Sequence, residues 1–150
     1  MSNWYHYLEA PVFQALASLA PDDLDERHKL PALMRDMQNL QLSVEAFDPH
    51  PSFEIHFDSA YEAHGALYVM EGGTQGGRFI SRNIREKLPD LAENQFFSVY
   101  ADASDERWQC FLRHLNTVAD TPAKQAQVCQ GAEKIYHSLI NWFAAAEPAA

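Results

Sequence analysis

Residues 59–80 read Ser59-Ala-Tyr-Glu-Ala-His-Gly-Ala-Leu-Tyr-Val-Met-Glu-Gly-Gly-Thr-Gln-Gly-Gly-Arg-Phe-Ile80. The stretch opens as a helix. Ser59 and Glu62 have the Ser-x-x-Glu spacing of a capping box, which satisfies orphan N–H groups of a first turn. Gly72, Gly73, Gly76 and Gly77 then fall close together, in a chain that holds only 6 glycines. Each glycine in a helix interior costs roughly 1 kcal/mol against alanine, so four cost roughly 4 kcal/mol if all are helical. A small domain holds about 5–15 kcal/mol in total. Something therefore needs the missing side chains. Two readings stand at this point. The glycines break or kink the helix, or they let another surface, a flat ligand or a second helix, approach the backbone.

The rest of the chain is helical in pattern. Tyr5, Leu8, Val12, Phe13, Leu16 and Leu19 recur at helical spacing over residues 3–20, with Pro11 as a kink or a fresh start. Leu24, Leu30, Leu33, Met34, Met37 and Leu40 do the same over 23–40, divided by Pro31. Residues 41–58 form a long connection containing Asp48-Pro-His-Pro51, and Phe53–Phe57 alternate as an extended loop. The glycine-bearing helix should stop near Leu88, before Pro89. A loop over 89–103 follows, with Phe96, Phe97 and Tyr100 packing over the core. Trp108, Phe111, Leu112, Leu115 and Val118 mark a helix from Ser104 to Ala119. Thr121 caps a last helix that begins at Pro122, carries Ala132, Ile135, Tyr136, Leu139, Ile140 and Phe143 as its apolar stripe, and ends near Pro148. The expectation is one all-α domain over residues 1–150, a compact multi-helix bundle.

Composition narrows the function classes. The formal charge is −10, which disfavours nucleic acid and anionic membrane surfaces as partners. No apolar run is long enough for a membrane span, and the N-terminus lacks a signal core, so the cytoplasm is the default location. Cys110 and Cys129 have no metal-type spacing and are expected to be buried free thiols. No nucleophile elbow or zinc-type His/Cys cluster is present.

Residues 65–80 resemble the distal helix of bacterial heme oxygenases, in particular the type found alongside bacterial phytochromes. Leu24-Asp-Glu-Arg-His-Lys-Leu-Pro-Ala-Leu-Met-Arg-Asp-Met37 is similar to that family's Leu-x-x-Arg-x-Lys-x-Pro-x-Leu-x-x-Asp-Leu pattern. The Trp108 helix, the Thr121-Pro-Ala123 start and Tyr136…Phe143 resemble its C-terminal half. The resemblance implies an all-α heme oxygenase fold, with heme as substrate and cofactor and an external electron donor. The product would be biliverdin, released with iron and carbon monoxide. It also implies that the backbone of Gly72, Gly73, Gly76 and Gly77 lies against the heme and crowds the dioxygen. Gly73 departs from the family, where serine or aspartate helps arrange distal water.

Other family features have no match. By the resemblance, the helix bearing the family's proximal histidine is expected to precede this chain's first residue, and His6 falls in what would be the second helix, so the ligand role is not carried onto it. His64, two turns before the glycines, is a weak candidate ligand. The family's propionate-binding positions align nearest Trp108 and Leu112, with Arg107 and Arg113 one position off, about 100° around the helix. Arg78 and Arg82 are alternatives, and Tyr68 offers a hydroxyl; surface ion pairing or core packing serves each of them equally well. Three functions remain open. The chain is a heme-degrading enzyme, a heme or tetrapyrrole binder without turnover, or an interaction protein that forms a homodimer through the face its absent helix would cover.

Overall fold

The computed structural model describes residues 2–42, 55–89 and 94–146. Among them are five α-helices and no strand: α1 (Ser2–Leu16), α2 (Leu30–Asn39), α3 (Ala60–Lys87), α4 (Ser104–Val118) and α5 (Pro122–Ala146). Short 3₁₀ turns lie at Leu24–Arg27, Phe96–Ser98 and Ala101–Ala103. The fold is all-α, as the patterning requires. Most of the connection at 41–58 lies outside the described residues. Ile55 and Phe57, at its end, are partly buried against the core.

Local chemistry explains most boundaries. Ser59 is extended, and its hydroxyl accepts from the Glu62 backbone N–H at 3.3 Å, which starts α3. The Glu62 carboxylate reaches back past the cap and accepts from the Asp58 N–H at 3.2 Å, one residue before the position a capping box prescribes. The Leu88 N–H closes the helix on Ile84 O, and Pro89 ends it. Pro31 sits in the first turn of α2, where its missing N–H costs nothing. Pro11 lies inside α1, which runs on through it.

α3 is a continuous helix of 28 residues, so the glycines do not break it. It is the centre of the bundle. α1 lays Trp4, Tyr5, Leu8, Val12 and Leu16 into a core shared with Leu67 and Met70 of α3, Phe111 of α4 and Ile135 of α5. Phe96 closes that core, edge-on to Tyr5 at 5.0 Å between ring centroids. α4 runs antiparallel to α3, since His114 meets His64 while Ser104 O meets Gln75. α5 runs in the same sense as α3. Ser59 bonds Gln127, and one turn on Glu62 and Gly65 meet Gly131 and Ala132.

At that meeting the two backbones touch. A Cβ on Gly65 would fall on the Val128 carbonyl oxygen and lie 2.6 Å from Ala132 N. One on Gly131 would fall on the Glu62 carbonyl oxygen and lie 2.6 Å from its carbon. Ordinary helix pairs keep their axes about 8–10 Å apart. Here neither helix admits even a methyl group.

Two expectations are corrected. Cys110 and Cys129 are exposed, not buried. Each neighbours an inward residue, Phe111 and Val128, and one step of about 100° turns it towards solvent. The apolar stripe expected on α5 also divides. Ile135 is buried and Leu139 partly so, whereas Tyr136, Ile140 and Phe143 are exposed. No described helix is long and apolar enough to cross a membrane.

Candidate functional site

The glycine segment has a fastened back and an open front. At about 100° per residue, Tyr68, Gly72, Gly73, Gly76, Phe79 and Ile80 share one arc of α3 spanning about 140°. A Cβ on Gly73 or Gly76 would meet nothing within 4 Å, and one on Gly72 would meet only Trp108 Cη2 at 3.8 Å. Gly77 differs, because its Cβ would sit 3.0 Å from the Phe97 carbonyl oxygen. The fold thus uses the missing side chain at Gly77 and makes no use of those at Gly73 and Gly76. Around the bare backbone, Phe79 is 69% exposed, and Ile80 and Tyr68 are also exposed. Beyond the Gly65–Gly131 crossing, α5 carries the exposed Tyr136, Ile140 and Phe143. Each of the two helices thus carries its own row of exposed apolar side chains.

The back of the segment is held by charge. Glu71 is buried, with both carboxylate oxygens engaged. Arg27 Nη1 donates to Oε2 at 2.6 Å, Lys29 Nζ donates to Oε1, and the Tyr100 hydroxyl donates to Oε1 at 2.9 Å. Arg27 also donates through Nε and Nη2 to the Asp23 carboxylate, both at 2.8 Å, and lies over the Phe111 ring. Glu9 of α1 accepts from the Lys29 and Leu30 N–H groups, and its other oxygen bonds His28. Burial first, and then the Glu71 charge, push the Tyr100 hydroxyl far above its usual range, so it remains a donor. Burial pulls the Lys29 ammonium down, and Glu71 works against that. Burial likewise opposes the Arg27 charge, but the bond to Asp23 and the field of Glu71 outweigh it and raise its pKa.

A helix with a bare backbone front, an apolar rim and a charged anchor behind it can seat a flat apolar ligand. A family model for heme oxygenase matches residues 2–145. The chain belongs to the heme oxygenase family. A curated relative, the heme oxygenase of Xanthomonas campestris pv. campestris (strain 8004), is 31% identical over 130 residues, covering 87% of this chain and 76% of the relative. No solved structure matches. Family membership accounts for the all-α architecture.

In this heme oxygenase family member, the residues singled out from sequence are distributed as follows. Tyr68 is exposed, its ring 5.3 Å from that of Trp108. Arg78 pairs with Asp105 at 2.7 Å on the outer surface. Arg107 joins Asp23 and Glu26 and lies over the Tyr100 ring. Arg82 and Arg113 are exposed. His64 is fully buried. Its Nδ1–H donates to Ala60 O at 2.7 Å, and its Nε2 faces His114 Nε2 at 3.0 Å. His114 Nε2 also lies 3.1 Å from Leu19 O, so this pair joins α3 and α4 to the segment after α1. Among the described residues, no group of three or more His, Cys, Asp or Glu is disposed to hold a metal ion.

Sequence reasoning passed over Arg27, Lys29 and Glu71 as site residues. The signal was present: all three stand inside the two family-like motifs, and Glu71 interrupts an apolar run with a charge.

The histidine pair makes stability pH-dependent. Burial holds the His64 imidazole below its ordinary pKa, and His114 adds to the shift. The unfolded chain therefore takes up the proton first. Stability is intact above about pH 6.5 and falls as pH drops from there towards the folded value. Thermal unfolding followed by circular dichroism should show a melting temperature a few degrees lower at about pH 5.5 than at about pH 7.5. His64→Gln should flatten that slope, and an equal slope in the variant would remove His64 from the account.

Proposed function

We propose that the protein binds heme across the open face of α3 and degrades it oxidatively to biliverdin, iron and carbon monoxide in the cytoplasm, with electrons from an external donor. The observation that carries this reading is the emptiness in front of Gly73 and Gly76. A helix bears the cost of glycine at these two positions, roughly 2 kcal/mol together, with no packing gain from either. A planar macrocycle laid on the backbone supplies the missing contact.

In this arrangement the bare backbone at Gly72, Gly73 and Gly76 seats one face of the porphyrin. Tyr68, Phe79 and Ile80 exclude water from its edge. Arg82 and Arg113 are the basic side chains left to meet its carboxylates, since Arg78 and Arg107 are engaged in ion pairs. Heme itself supplies the redox chemistry when bound, and the protein supplies the pocket and orientation. Gly73 brings no hydroxyl or carboxylate to this face, and the N–H groups of the unbroken helix are committed to its own carbonyls, so water there is ordered by carbonyl oxygens accepting a second bond or by other solvent.

The test is a heme titration followed in the Soret band, then reduction in air. Saturable one-to-one binding followed by a bilin absorbance supports the enzyme. Binding with heme left intact reduces the protein to a carrier, and no binding overturns the reading. A second reading is favoured by the exposed Tyr136, Ile140 and Phe143 stripe. It takes the chain as a homodimer closed over that face. Sedimentation would then show a concentration-dependent dimer that takes up no heme.

A further inference from the structure

We infer that Glu71 is a positioning residue: the buried Arg27–Lys29–Glu71–Tyr100 cluster sets the height and rotation of the glycine face of α3. This role goes beyond the heme reading and is tested both with and without it. At Gly73 and Gly76 the front of the segment touches nothing in the protein, so no contact there presses the helix into place. The glycines weaken the helix locally and present no side chains to grip. The fastenings lie beside and behind it. Gln75 Nε2 donates to Ser104 O at 3.1 Å, while the Thr74 hydroxyl bonds Glu71 O within α3 itself. Gly77 rests on the Phe97 backbone. The strongest fastening is Glu71, one residue before Gly72.

Its geometry suits the task. Glu71 is met by donors from two separate segments, the turn before α2 and the loop before α4. A slide of α3 along its axis, or a turn about it, breaks at least one of these bonds. Stability alone explains the cluster poorly. Buried ion pairs repay their desolvation only in part, and apolar replacements are often neutral or better. A helix that must hold a bare surface in register has a use for directional bonds that apolar packing cannot supply. Glu9 extends the frame by holding the backbone of Lys29 and Leu30 from α1.

The test compares the wild type with the double variant Lys29→Met/Glu71→Gln. The double variant removes one charge of each sign and leaves Arg27 with Asp23. Amide hydrogen exchange is measured on ligand-free protein, and heme affinity in the Soret band. Exchange over residues 72–80 is expected to rise about tenfold while amides around Ile135 stay protected. Heme affinity is expected to fall about tenfold. Unchanged exchange at 72–80, or an equal rise throughout the bundle, would overturn the positioning role. Should the double variant not fold, Tyr100→Phe decides. It changes no charge and removes one bond to Glu71, so it must raise exchange about twofold at 72–80 alone. If the wild type takes up no heme, the proposed function falls while the exchange measurement still decides this role.

Discussion

Gly131→Ala is expected to destabilise the protein by more than about 3 kcal/mol and to lower its melting temperature by about 10 °C. The sign is opposite to the usual one. In a helix interior, glycine to alanine is normally stabilising by about 1 kcal/mol, because alanine loses less backbone entropy. Here the added methyl would land on the carbonyl of Glu62. Backbone cannot swing aside as a long side chain can, so α5 as a whole must move off α3. That movement loosens the packing of Ile135 and stretches the bonds of Lys134 to Glu62 and His56 O, which are 2.7 and 2.9 Å long. It also forfeits the close backbone contact, where weak C–H···O attraction adds to dispersion. Gly65→Ala should behave alike. The measurement is thermal unfolding by circular dichroism. A variant melting at or above the wild type would show that the helices do not touch at this point.

The second large effect runs the other way for stability. Gly73→Ala and Gly76→Ala should each stabilise the ligand-free protein by about 0.5–1 kcal/mol, since the methyl group meets open space and the helix gains propensity. The same changes should weaken heme binding, and Gly76→Leu should weaken it by about a hundredfold, which corresponds to ~3 kcal/mol of lost contact. Paired melting curves and Soret titrations check both halves. Stability that rises while binding falls is the mark of residues kept for function at a cost to the fold. Unchanged heme affinity in Gly76→Leu would move the ligand to another surface.

The chain's local signals were legible in advance. The Ser59/Glu62 box, Pro89 after α3 and Pro122 at the head of α5 act within one turn of helix, so a single sequence contains all of their physics. The clustering of Gly72, Gly73, Gly76 and Gly77 was equally visible, but what the four glycines do was not. A glycine carries no side chain to indicate its neighbour. Gly77 serves a loop backbone, whereas Gly73 and Gly76 face open space. Helix propensity allowed a break there, and tertiary anchoring through Glu71 and Gln75 overrides it. The backbone contact between α3 and α5 arises from two solitary glycines, Gly65 and Gly131, which no local pattern connects. Charge misleads in a similar way. Arg27, Lys29 and Glu71 have the composition of a solvated surface, and only their meeting in space makes burial affordable.

The Gly65–Gly131 crossing also bears on how the protein is made. The helix that carries the open face leaves the ribosome well before the helix that must cross it. Trp4 of α1 bonds Ser138 of α5, 134 residues further along the chain, at 3.0 Å. Until α5 emerges, α1 and α3 hold apolar surfaces with no partner, and the bundle cannot close from the N-terminus onward. Such long-range closure slows folding and leaves the nascent chain open to aggregation in the interval. α5 is therefore the element that commits the helices before it to their native form.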